Sequence, residues 1–213
     1  MGTISKGILG GFSGKVGTVV GANWRGKDII RSRPKATQKT PTPSQLLQQM
    51  KFSLAMGFLQ PLKGIQSRFF GTKSGVRSCV NLAVSYTIKE AMQVVDDLPQ
   101  LVYSKVLITK GDLVGFQNVS LTLQAGGVLY LEWEDNSTQG NASPNDTVSI
   151  ICYLKNLKMF EIYEDVVMRS DLIADITLPS YCLGEAVEVW TYLHNEKQTM
   201  ANSSVYLGMH TVI

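Results

Sequence analysis

Hydrophobic residues follow a helical rhythm in one part of this chain and an alternating rhythm in another. Between residues 43 and 92 apolar side chains recur every three or four positions, as on one face of a helix. Leu46, Leu47, Met50, Leu54 and Phe58 form a first stripe; Val76, Val80, Val84, Ile88 and either Ala91 or Met92 form a second. The first helix has a defined start: Thr42 is placed to cap it, Pro43 fits its first position, and Gln45 can complete a capping box. Pro61 ends or kinks it, a short basic piece runs to Phe70, and "DDLP" at Asp96 to Pro99 closes the helical region.

From Ser104 the period falls to two. In "VLYLEWED", Leu129, Leu131 and Trp133 share one face, and Tyr130, Glu132 and Glu134 the other. "TVSIICYL", "MFEIY", "LIADITL", "EAVEVWTYL" and "SVYLGM" repeat the pattern, with turns such as "DNSTQGNASPND" between them. About seven short strands in roughly 110 residues predict an antiparallel β-sandwich of immunoglobulin or fibronectin type III kind, with Trp133 in its core. Ahead of the helices, "KVGTVVG" and "KDIIRSR" read as strands and "ANWRGK" as their hairpin connection. The basic, proline-rich "RPKATQKTPTP" then reads as an extended linker. The expected fold is α+β: a basic β-hairpin arm and a helical pair over residues 1–100, then the sandwich over 101–213.

Composition fits a folded protein, with 44% hydrophobic and 17% charged residues in 213. No apolar run reaches the roughly 18 to 20 residues that cross a bilayer. "GILGGF" after Lys6 is shorter than the core of a signal peptide, so no secretory signal is read and a cytoplasmic or virion-associated location is expected. Cys79, Cys152 and Cys182 include no C-x-x-C pair, so reduced, partly buried thiols are expected, and the fibronectin-like variant is favoured. Asn-x-Ser/Thr sequons begin at Asn118, Asn136, Asn141, Asn145 and Asn202.

Charge divides the chain. Residues 1–100 hold 14 Lys and Arg against 4 acids, hence +10; residues 101–213 hold 6 against 13, hence −7. Asp28 is the only acid between Met1 and Lys89. Two such regions suit different partners, or each other.

Candidate chemistry is sparse. "GANWRGKD" satisfies G-x-x-x-x-G-K, but Asp28 stands where a magnesium-holding Ser or Thr belongs, and "IIRSRP" cannot form the helix that should follow. "GGFSGKVG" fails because Leu9 occupies the first glycine position. The only histidines, His194 and His210, fall in or at the end of predicted strands, without a catalytic or metal-binding motif around them. No catalytic residue, metal, cofactor or small-molecule substrate is indicated.

The basic leader is the strongest signal. Lys15, Arg25, Lys27, Arg31 and Arg33, with Lys35 and Lys39 beyond, supply charge; Trp24 can be the anchor; Gly14, Gly17 and Gly21 permit close backbone approach. The expectation is a non-enzymatic structural or interaction protein that self-assembles or docks on a protein partner through this arm. The alternative is nucleic-acid binding by the same residues.

The leader "MGTISKGILGGFSGKVGTVVGANWRGKDIIRSRP", followed by "TPSQLLQQMKFSLAMGFLQPL", resembles a bacterial family of unknown function, the domain numbered 6266, over most of the chain to "NSSVYLG". Gly14, Lys15, Gly17, Val19, Val20, Arg25, Gly26, Arg31, Thr42, Pro43 and Gln45 are also similar to a motif of short phage-encoded proteins. The resemblance implies a virion-related or phage-derived role and brings no catalytic residues with it.

Overall fold

The computed structural model describes residues 3–4, 10–24, 26–34, 40–72 and 77–213. The chain divides into two compact units, Met1–Thr42 and Pro43–Ile213. The first is an antiparallel meander of β1 (Thr3–Ile4), β2 (Phe12–Val16), β3 (Val19–Trp24) and β4 (Lys27–Ser32), hydrogen-bonded in that order. The expected single strand "KVGTVVG" is two strands, because Gly17 and Thr18 form a two-residue turn with Val16 opposite Val19. Gly17 has a φ of +58°, which glycine adopts without the steric cost of a Cβ. The "ANWRGK" connection is likewise shorter than expected: Ala22 to Trp24 belong to β3, and Trp24 lies opposite Lys27.

In the second unit, α1 (Pro43–Leu59) begins at the expected proline. One 3₁₀ turn, Gln60–Leu62, leads into the short α2 (Lys63–Phe69). After it, α3 (Cys79–Glu90) is capped by Ser78, whose hydroxyl accepts from the Asn81 N–H at 3.2 Å. The buried positions of α1 are Ala55, Phe58 and Leu59, so the inward face is rotated from the expected stripe, of which Leu46 and Met50 remain exposed. Val76 lies outside the described residues. "DDLP" is part of a hairpin: β5 (Met92–Val95) pairs with β6 (Leu98–Leu101), and Asp96 and Asp97 both take positive φ, as a two-residue I′ turn requires.

The remaining strands are β7 (Gln117–Gln124), β8 (Val128–Glu134), β9 (Thr147–Leu154), β10 (Met159–Met168), β11 (Ile173–Thr177), β12 (Ala186–His194) and β13 (Val205–Thr211). They form two antiparallel sheets, ordered β11-β8-β7 and β10-β9-β12-β13. Leu129, Leu131 and Trp133 of β8 meet Val148, Ile150 and Cys152 of β9 in the core between the sheets, as the alternation predicted. On the other side, Ile151 and Tyr153 of β9 and Trp190 and Tyr192 of β12 enter a second core with Phe58, Leu59, Leu62 and Phe69. The four-stranded sheet is therefore the middle layer, covered by helices on one face and by the three-stranded sheet on the other.

The helices and the four-stranded sheet of the second unit share this core. The helices cover the apolar outer face of β9 and β12, so contacts are sparse at Thr42/Pro43 and dense where the helices meet the strands. All three cysteines are free and buried, and burial raises the Cys152 and Cys182 thiols above their ordinary pKa.

Candidate docking interface

Register decides what the meander presents. Lys15 lies opposite Val20 and Val20 opposite Arg31; Ala22 faces Ile29, and Trp24 faces Lys27. Opposed residues share a face, so Lys15, Lys27 and Arg31 stand on one side of the sheet with Trp24, Val20, Ala22 and Ile29. Lys15, Lys27 and Arg31 are exposed, and among the described residues none forms an ion pair.

The opposite face holds the arm's single acid away from these cations. Asp28 accepts from Asn23 Nδ2 at 2.8 Å, while Asn23 Oδ1 accepts from the Gly26 N–H at 3.1 Å. Gly21 is on this side too, paired with Gly14, and a Cβ there would lie 2.3 Å from the Phe12 carbonyl and 2.6 Å from its ring. Gly17 and Gly21 thus have local roles within the meander, as a turn and as a seat for Phe12. Arg33, one residue past β4, is exposed and donates its backbone N–H to Thr18 at 2.8 Å. Arg25, Lys35 and Lys39 lie outside the described residues.

The meander has almost no interior of its own. Among its described residues only Gly21 is buried, while Trp24 is 56% exposed and Ile30 68%. Isolated small sheets without a packed face are marginal in water.

The second unit supplies a surface of opposite sign. On the outer face of the three-stranded sheet, Glu132 and Glu134 are exposed beside Tyr130. The β11–β8 register adds Asp175 opposite Tyr130 and Ile173 opposite Glu132. Ser120 Oγ and Gln117 Nε2 donate to Glu132 and Glu134 at 3.0 Å each, but among the described residues no cation pairs with these three carboxylates. Period-two alternation in "VLYLEWED" already joined Glu132 to Glu134; Asp175 could be placed only by strand pairing.

Two other features carry chemical groups. His194 is buried, stacks on Phe69 at 5.2 Å, and places Nε2 2.6 Å from Asp165 Oδ1 and Nδ1 3.0 Å from the Asn195 carbonyl. This is a packing role, fastening β12 to β10. A cleft of about 690 Å³ is floored by Phe58, Tyr103, Tyr153 and Phe160 and edged by Lys155 and Lys158. Lys155 is already engaged, 3.5 Å from Glu188 and 5.2 Å from the centre of the Tyr103 ring.

The phosphate-loop pattern is strand and turn: Gly21 to Trp24 belongs to β3, and Lys27 and Asp28 open the strand β4, which runs to Ser32 where a helix would be needed. Among the described residues no helix is long and apolar enough to cross a membrane. The family model described as a family of unknown function, DUF6266, matches residues 11–208. The chain belongs to that family. The matched DUF6266 region runs from Gly11, beside Asp28, to Gly208 in β13, and so takes in the paired strands β2 to β4 and most of the second unit. No curated protein matches the chain.

Proposed function

We propose that this DUF6266 chain is a non-enzymatic interaction protein that self-assembles by docking its basic arm face on an acidic protein surface. The observation that carries the reading is a four-stranded unit burying only Gly21 among its described residues while exposing Trp24 and Ile30. Such a unit gains stability by being covered, since apolar surface removed from water contributes roughly 25 cal/mol per Å². Lys15, Lys27 and Arg31 give the cover a sign, and Trp24 is an anchor of the type that dominates interfaces. The strand neighbours β7-β8-β11 and β9-β12-β13 support a fibronectin type III or immunoglobulin-like plan for the carrier domain. The resemblance to short phage-encoded proteins extends the proposal to a virion-associated or cytoplasmic assembly.

The test uses the full chain and the variant Lys27→Glu/Arg31→Glu in analytical ultracentrifugation at low and moderate salt. Concentration-dependent association in the wild type, weakened by salt and lost in the variant, supports the reading. Identical sedimentation of the two proteins overturns it. Salt-steep binding of single-stranded DNA or RNA, with no self-association, would favour the nucleic-acid alternative instead.

A further inference from the structure

We infer that the arm's acceptor is the outer face of the β11-β8-β7 sheet on a second copy of this chain. The inference rests on the self-assembly reading above and names its missing half. Both surfaces are faces of antiparallel sheets, which pack on one another at about 10 Å when their side chains interdigitate.

The charges match in sign and spacing. Lys27 and Arg31 sit four residues apart on β4, about 13 Å along the strand at roughly 3.3 Å per residue. Asp175 lies opposite Tyr130, and Glu134 is four residues further along β8, so these carboxylates are spread over the same axial distance. Glu132 stands between them beside Ile173, and Lys15 stands level with Arg31 across Val20. Apolar side chains lie among the charges on both faces: Val20, Ala22 and Ile29 on the arm, Tyr130 and Ile173 on the sheet. Among the described residues the three cations and the three carboxylates have no ion pairs of their own, and neither face carries a charge of the wrong sign.

Three other acids of the second unit are already engaged. Glu188 is buried and engaged by Lys155 and Tyr206; Asp146 is buried against Arg169; Glu164 pairs with Arg68. Donor and acceptor are different surfaces of the chain, one in each compact unit, as the two halves of a head-to-tail contact are.

A charge swap in the full chain tests this. The donor variant is Lys27→Glu/Arg31→Glu and the acceptor variant Glu132→Lys/Asp175→Lys. Each alone should weaken self-association by on the order of a hundredfold, from like charges placed in contact. Mixed one to one, the two variants retain one wild-type and one doubly reversed interface, and association should return. Carbodiimide coupling of ¹⁴N- with ¹⁵N-labelled wild type should join Lys15 or Lys27 of one copy to Glu132, Glu134 or Asp175 of another. If the donor variant is monomeric while the acceptor variant assembles like wild type, the arm docks elsewhere and this inference fails while the docking reading stands. If the donor variant itself assembles normally, both fail.

Discussion

Arg169 is a decisive place to disturb the second unit. It is fully buried at the end of β10, and its guanidinium reaches four acceptors. Nε and Nη2 each lie 3.1 Å from Asp146 Oδ2, Nη1 donates to the Gly115 carbonyl at 3.0 Å and to Asn136 Oδ1, and Nη2 donates to the Val114 carbonyl at 2.6 Å. Its own carbonyl accepts from Trp133 Nε1 at 2.9 Å, tying β8 to the same point. Arg169→Met keeps much of the volume and removes every one of these donors. Asp146 would keep only the Ser143 N–H at 2.8 Å among its acceptor bonds to the neighbouring loop, and its charge would be buried without a cation. Breaking one side of a buried pair costs about 3–5 kcal/mol, a large share of the roughly 5–15 kcal/mol that holds a domain together. Urea unfolding followed by tryptophan fluorescence measures it. Arg169→Met/Asp146→Leu should be less destabilised than Arg169→Met alone, because the stranded charge is gone. A single variant within about 1 kcal/mol of wild type would refute the reasoning.

Other outcomes follow from the same geometry. Gly21→Ala forces a Cβ against the Phe12 carbonyl and should cost the meander about 1–3 kcal/mol, read as faster amide exchange in β2 to β4; Gly17→Ala, which meets open space but sits at positive φ, should cost about 1–2 kcal/mol. Equal and negligible effects at both sites would show that the arm is not folded as described. Asn202→Ala should cost about 1–3 kcal/mol in urea unfolding, because buried Oδ1 accepts from the Leu193 N–H at 2.7 Å; an unchanged midpoint contradicts this. Burial pushes Tyr103 and Tyr192 up to about 12. Their folded-state pKa exceeds the unfolded value near 10, so this stabilisation is whole below pH 10 and is lost as pH rises through 12. Denaturation midpoints should fall over that window, and a 295-nm titration in which every tyrosine ionises together near 10 would contradict it.

Where one face of a strand meets water, the alternation was readable, and β8 and β11 followed it. β9 and β12 concealed the third layer, since a strand covered on both faces has no solvated side: "IICYL" is a continuous apolar run and "VWTYL" is broken only by the small, buried Thr191. That continuity was the available sign that the helices lie on the sheet rather than in a separate domain. The β5–β6 hairpin was hidden because its turn uses Asp96 and Asp97 where Asn-Gly would have announced it. In the arm, charge was legible from composition, but the shared face of Lys15, Lys27 and Arg31 depended on where Gly17 breaks the strand. One residue of error there would have exchanged the two faces.

The middle position of the four-stranded sheet also sets an order of events at the ribosome. Helices α1 to α3 emerge with their inward residues bare, and the strand that carries Trp190 and Tyr192 is synthesised about 100 residues after Glu90. At about 5–20 residues per second that is an interval of roughly 5–20 s. Until then the sheet is incomplete: Phe58 can meet Tyr153 and Phe160 of the earlier β9–β10 hairpin, but Phe69 lacks Tyr192 and Phe58 lacks Trp190, so the nascent chain is expected to be a client of holding chaperones until its last third is made.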